Sequence, residues 1–282
     1  MIERFNFYDV YGYLIPGVTF LGLVWLPFGL VTQKLPPAEF LAALVVLVLG
    51  YIVGHILQIL AAKAIPSKKK VECGERRHPS SLLLEDADTK FSPELKKRIV
   101  DRIQWRFGID VSSSGNPDQK LRENRRNDAF LLCRTTLIKE GMASYAEQFE
   151  GMYVLMRGLT AAFYLGWAYH LGWLVGVWLP SSNDILVLWA LIIVIIFSFV
   201  LMCLSEIMDP TEAIWPIRIV LPTIMGIIGV LLAWGKDMSP ETCFLLLVTF
   251  LTSFFAMIEC HGSYQSFAST FAERVYRDFA VV

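Results

Sequence analysis

His55, Gln58, Glu206, Asp209, Arg218, Glu259 and His261 are the residues of this chain placed to do chemistry, because each falls inside or at the end of a long apolar run. A charge at membrane depth costs about 3 kcal/mol or more unless it is paired or hydrated, so such groups face a partner or a water-filled cavity. Charge suggests two pairings, His55 with Glu206 or Glu259 and Arg218 with Asp209. His55 is the deepest, about 10 Å from the end of its run at the helical rise per residue. The chemistry open to this set is proton or ion handling. The plainer alternative is that Glu206, Asp209, Arg218 and Glu259 mark the ends of spans, and that His55 and Gln58 make an inter-helix hydrogen bond.

Catalytic signatures are missing from the rest of the chain. It contains neither H-E-x-x-H for zinc proteolysis nor G-x-x-x-x-G-K-[ST] for nucleotide phosphates. The closest carboxylates, Glu85, Asp86 and Asp88, follow SSLLL and read as a solvated turn before they read as a metal or diphosphate site. Cys73 and His78 supply two ligands where zinc takes three or four from the protein. The five cysteines are scattered without a C-x-x-C, which fits a reduced environment. No metal or cofactor is expected, and an enzyme is the minority reading.

The elements that must carry these residues are membrane helices. The chain is 55% hydrophobic and 18% charged, with a mean hydropathy of +0.51, more apolar than a water-soluble domain of 282 residues can bury. Six runs approach the roughly 20 residues needed to cross a bilayer: 12–32, 38–62, 153–178, 185–208, 216–234 and 241–261. Of the 25 Lys and Arg residues, 19 lie between Lys63 and Arg157. By the positive-inside rule the two termini and the 63–152 segment are then cytoplasmic. The sequence thus predicts an all-α, polytopic membrane protein of about six transmembrane helices with a helical cytoplasmic domain inserted between helices 2 and 3. Its parts are 1–62 with the first two spans, the domain 63–152, spans three to six over 153–262, and a cytoplasmic tail 263–282.

Within the polar domain, Ser92, Pro93 and Glu94 form a helix start, Leu95, Ile99, Ile103 and Phe107 share one face, and Gly108 ends the element. A second helix is expected over about 117–140. From 142 to 178 no breaker interrupts the pattern, which predicts one helix rising from the domain into the third span and able to couple the two. Small residues recur every four positions along it, Gly158, Ala162 and Gly166 on one ridge and Ala168, Gly172 and Gly176 on another, while the second span holds Gly50 and Gly54. Such ridges let helices approach closely in lipid. They serve either packing within the chain or contact between copies in a homo-oligomer.

The opening stretch FNFYDVYGYLIPG joins aromatic residues suited to a headgroup layer to a Pro-Gly break. It is read as a retained interfacial segment, not a cleaved signal, with LIPG as the kink into the first span. Asp9 is expected to cap that span or to pair with Arg157.

FYDVYGYLIPG (7–17), DAFLLCR (128–134) and EQFEGMYVLMRGLTAAF (147–163) together resemble a group of bacterial inner-membrane proteins that begin with an F-Y-D…P-G segment and carry R-G-L where a later span begins. Tyr8, Asp9, Pro16, Gly17 and Arg157 match that pattern. Some of these proteins lie near phage-defence genes, so the resemblance implies a defence-associated protein of the bacterial inner membrane. It brings no catalytic residues. The combined expectation is a non-enzymatic, signal-responsive membrane effector or channel-like component. The lipid bilayer, further copies of itself and a cytoplasmic protein are its expected partners, and nucleic acid is not. The alternatives are a small-solute or ion transporter using His55, Glu206 and Glu259, and a membrane-bound enzyme acting on lipid.

Overall fold

The computed structural model describes residues 9–33, 39–65, 69–70, 76–112, 119–177, 215–234, 236 and 238–282. Helices dominate: α1 (Val10–Thr32), α2 (Phe40–Ala64), α3 (Pro79–Leu82), α4 (Pro93–Phe107), α5 (Gln119–Lys139), α6 (Ser144–Val177), α7 (Trp215–Ala233) and α8 (Pro240–Phe279). Two two-residue strands, β1 (Lys69–Lys70) and β2 (Arg76–Arg77), pair antiparallel with Lys69 opposite Arg77. The chain divides into two compact units, the first from 1–65 and 154–262, the second from 66–153 and 263–282.

Three helices, α1, α2 and α8, are long and apolar enough to cross a membrane, and the apolar stretch Val220–Ala233 of α7 is shorter. The expected fourth span, 185–208, lies outside the described residues. Leu44, Leu47, Ile52, Ile56 and Ile59 of α2 and Phe244, Leu247, Leu251, Phe255 and Ile258 of α8 are all exposed. Water would leave such surfaces unstable, whereas a bilayer covers them, and they mark a membrane protein.

The expected third span falls on α6, which is not among the helices that meet the length and hydropathy requirement. Its residues explain why. Thr160, Trp167, Tyr169, His170 and Trp173 are buried around much of its circumference, as in a helix surrounded by other helices. Leu57 and Ala61 of α2 pack on Ala161, Ala162 and Leu165, with Phe20 of α1 and Met225 of α7 beside them.

Small residues set these approaches. A methyl group on Gly17 of α1 would overlap backbone atoms of Gly50 and Gly54 of α2, and one on Gly54 would overlap the Tyr13 carbonyl. Along α6, Gly158 meets Gln58 and Pro16, Gly166 meets Leu23, Gly172 meets Gly226, and Gly176 meets Val230 and Ala233. One ridge of α6 therefore faces α1 and α2 and the other faces α7, so both are filled by helices of the same chain.

The second unit has a conventional core. α4 begins at Ser92, whose hydroxyl accepts from the Leu95 N–H, and ends at Gly108 with φ +69°. Ile99 and Ile103 of α4 pack with Cys133 and Leu137 of α5 and with Val275, Tyr276 and Phe279 of α8. Residues 263–282, expected as a tail, are the final turns of α8, to Phe279, and the three residues after it, and they supply part of this core. Tyr264, Phe267, Phe271, Ala272, Val275, Tyr276 and Phe279 follow helical spacing, the signal that identifies them.

Candidate functional site

The opening helix contains no break at LIPG. Val10–Leu14 form a π turn that passes directly into α-helix, and Ile15 sits at φ −62°, ψ −51°, helical rather than extended. A proline inside a helix has no N–H for the carbonyl four residues earlier, and its ring crowds that carbonyl. The π turn just before Pro16 widens the backbone at this point.

Pro16 therefore offers nothing to the Gly12 carbonyl, and Pro27 nothing to the Leu23 carbonyl. Both oxygens are taken by side chains of other helices. Gln58 Nε2 of α2 donates to Gly12 O at 2.7 Å, and His170 Nε2 of α6 lies 3.0 Å from Leu23 O. An unsatisfied carbonyl among apolar helices costs about 1–3 kcal/mol, which these two donors offset.

Gln58, buried, is the centre of the first node. The same Nε2 donates to Val154 O of α6 at 2.7 Å, while Arg157 Nε donates to Gln58 Oε1 at 3.1 Å. One amide thus joins α1, α2 and α6. Gly158, one turn after Val154, makes room for it, since a methyl group there would come within 2.5 Å of Gln58 Nε2 and 2.8 Å of Pro16 Cγ.

His170, fully buried, is the centre of the second. A carbonyl only accepts, so Nε2 carries the hydrogen, and in the neutral ring Nδ1 is left as acceptor. Ser253 Oγ of α8 lies 3.5 Å from it. Leu23, His170 and Ser253 link α1, α6 and α8 as Gln58 links α1, α2 and α6.

The sequence-derived residues are distributed as follows. Gln58, Pro16, Gly158 and Arg157 meet at the first node, and Gly17 packs on Gly50 and Gly54. His55 stacks on Tyr13 with ring centroids 3.7 Å apart and meets Tyr51 edge-on at 4.6 Å. It makes no ion pair with Glu259, which is exposed, so that pairing is corrected. His261 is half-buried on α8. Asp9 holds the N-cap position without a side-chain cap bond, so it does not cap the span. Tyr8, Glu206 and Asp209, and the side chain of Arg218, lie outside the described residues, and with them the Arg218–Asp209 and His55–Glu206 pairings.

Spacing alone did not single out His170, Ser253 or Arg126. Arg126 is the corresponding centre of the second unit. Buried on α5, it donates to Val111 O at 3.2 Å, Ser81 O at 3.1 Å and Leu84 O at 3.3 Å, and approaches Glu85 Oε1 at 3.4 Å. Burial pulls its pKa down while Glu85 pushes it back up. Arg77 also pairs with Glu85, so this carboxylate is committed to two arginines and not to a metal or diphosphate. No cluster of three His, Cys, Asp or Glu in ligating arrangement occurs among the described residues.

This geometry holds helices together through backbone carbonyls. Protein-family models, curated proteins and solved structures give no match to the chain.

Proposed function

We propose that this chain is a non-enzymatic, multi-pass membrane effector or channel-like component whose polar unit receives a signal and passes it to the membrane unit. One observation carries the reading: α6 and α8 each belong to both units, with the boundary at 153/154 in α6 and at 262/263 in α8. A change in how the polar unit holds either helix is then a force on the Gln58 or His170 node, where α1 is held by single side-chain hydrogen bonds.

The basic residues between 63 and 157 support cytoplasmic termini, and the resemblance supports a bacterial inner membrane and a setting in defence. The transporter alternative uses His55, Glu206 and Glu259, of which Glu206 lies outside the described residues and Glu259 makes no ion pair with His55. The lipid-enzyme alternative uses His55, His261 and the carboxylates of Glu85, Asp86 and Asp88, of which Glu85 is held by Arg77 and Arg126.

The test is flux. Induction in cells carrying a potential-sensitive dye, and reconstitution of the full chain into liposomes with a trapped dye and an ion gradient, are expected to show depolarisation or leak that changes in Gln58→Leu. An unchanged potential and intact liposomes under all triggers tried would overturn the proposal.

A further inference from the structure

The second unit contains a cavity of about 200 Å³ whose walls are residues 78–80, α5, α6 and α8. We propose that it binds one neutral, planar nitrogen heterocycle of nucleobase size. This deepens the effector reading and rests on it for the consequence of binding, though not for the binding itself.

Size suits a small ligand, since pockets for drug-sized molecules run from about 300 to 1,000 Å³. One ring system fits. Shape points the same way: Phe130 and Phe271 line the cavity with their rings crossed at 89° and centroids 5.7 Å apart, and Leu131, Ala268 and Ala272 complete an apolar floor. Aromatic walls favour a flat, polarisable guest.

Charge at the rim is already balanced. Arg134 holds Glu150 through a fork, with Nη2 2.7 and 2.9 Å from the two carboxylate oxygens and Nε 3.2 Å from one. An anionic ligand would have to separate this pair to reach the guanidinium, and a cationic one to reach the carboxylate, so a neutral guest is favoured. Asn127 also lines the cavity, and its side chain makes no hydrogen bond among the described residues. Its carbonyl and amide present an adjacent acceptor and donor, the complement of an exocyclic amine beside a ring nitrogen. That edge separates an amino-heterocycle from a plain aromatic ring.

The site has a route to the rest of the molecule through its walls. Glu150 lies on α6 and Phe271 on α8, the two helices shared with the membrane unit.

The experiment uses the full chain in detergent micelles with adenine as the probe, toluene as an apolar ring without the edge, and benzoate as a charged ring. Titration calorimetry is expected to show saturable adenine binding and no benzoate binding. Asn127→Ala should weaken adenine by about tenfold or more and leave toluene unchanged. Ala268→Phe should abolish both by filling the floor, and if it fails to fold, as judged by gel filtration, Asn127→Ser provides a second polar deletion. Non-saturable adenine binding to the native chain, or equal affinity in the Asn127 variants, overturns the proposal. Adenine binding that depends on Asn127 but leaves liposome flux unchanged supports the site and defeats the effector reading. Flux without adenine binding does the reverse.

Discussion

The two units solve one problem, the backbone carbonyl without a helical partner, with different chemistry. In the membrane unit the stray carbonyls come from prolines inside α1 and are met by neutral donors, the Gln58 amide and the His170 ring. In the polar unit they come from the end of α3, the turn after it and the loop after α4, and a single guanidinium, Arg126, collects three of them. A charge is tolerated there because Glu85 stands 3.4 Å away and is itself partly exposed. Buried charges need such compensation, whereas neutral amides need only complete hydrogen bonding. The surroundings choose the donor, and the shared requirement is that each break in the helical ladder be closed by a side chain from elsewhere.

The largest effect should follow from removing the charged centre. Arg126→Met strands three carbonyls and leaves Glu85 with only Arg77, and is expected to cost the polar unit about 3 kcal/mol or more. In a detergent unfolding titration read by circular dichroism, the polar unit should melt first while the apolar helices persist. A change below about 1 kcal/mol would mean that Arg126 is a bystander and that the likeness between the units is superficial. Next is Gln58→Leu, with an expected loss of about 2 kcal/mol, because Gly12 O loses its donor and Val154 O one of two. Gly158→Val should act in the same direction, by pressing on Gln58 and Pro16 rather than by deleting a bond.

A smaller, pH-dependent effect distinguishes the units by burial alone. Cys133, fully buried in the polar core, has its thiol pushed up from 9.0 to about 12. Below pH 9 both folded and unfolded chains keep the proton, and the residue gives stability no pH dependence. Above it the unfolded chain loses the proton first, so stability falls as pH rises until the folded thiol also ionises near pH 12. The expected loss at pH 10 relative to pH 8 is about 1.4 kcal/mol. It should be read as the difference between the native chain and Cys133→Ala, since other groups titrate there. Equal alkaline profiles for the two would show that Cys133 is less enclosed than the packing indicates.

Much of this was legible in the residues, in proportion to how local the signal was. Ser92, Pro93 and Gly108 bound a helix through contacts within one turn, and the structure uses each of them in that way. The four-residue ridges of α6 were visible as spacing, but which neighbour fills each ridge is tertiary information. Pro16 reads as a kink, yet it breaks nothing, and neither does Pro27, because donors 46 and 147 residues away in sequence, Gln58 and His170, take up the Gly12 and Leu23 carbonyls. Polarity drew attention to Gln58 but not to its target. A histidine in an aromatic, glycine-rich helix carries no spacing signal, which hides His170, and the charges of 263–282 mask a sound helical period and make it look like a tail.

The finest test asks whether the prolines are the reason for the side-chain bonds. If the Gln58 donor is needed because Pro16 lacks an N–H, then Pro16→Ala supplies a backbone donor for Gly12 O and should make Gln58→Leu less costly. The same logic pairs Pro27→Ala with His170→Leu through Leu23 O. Each double-mutant cycle is expected to show a coupling of about 1 kcal/mol, while the crossed pairs, Pro16→Ala with His170→Leu and Pro27→Ala with Gln58→Leu, should be additive to within about 0.5 kcal/mol. Coupling confined to the matched pairs would make each proline and its donor one unit, in which the helix gives up a bond of its own so that another helix can hold it. Additivity throughout would reduce both nodes to ordinary polar contacts and would remove the breakable attachments that the proposed function assigns to α1.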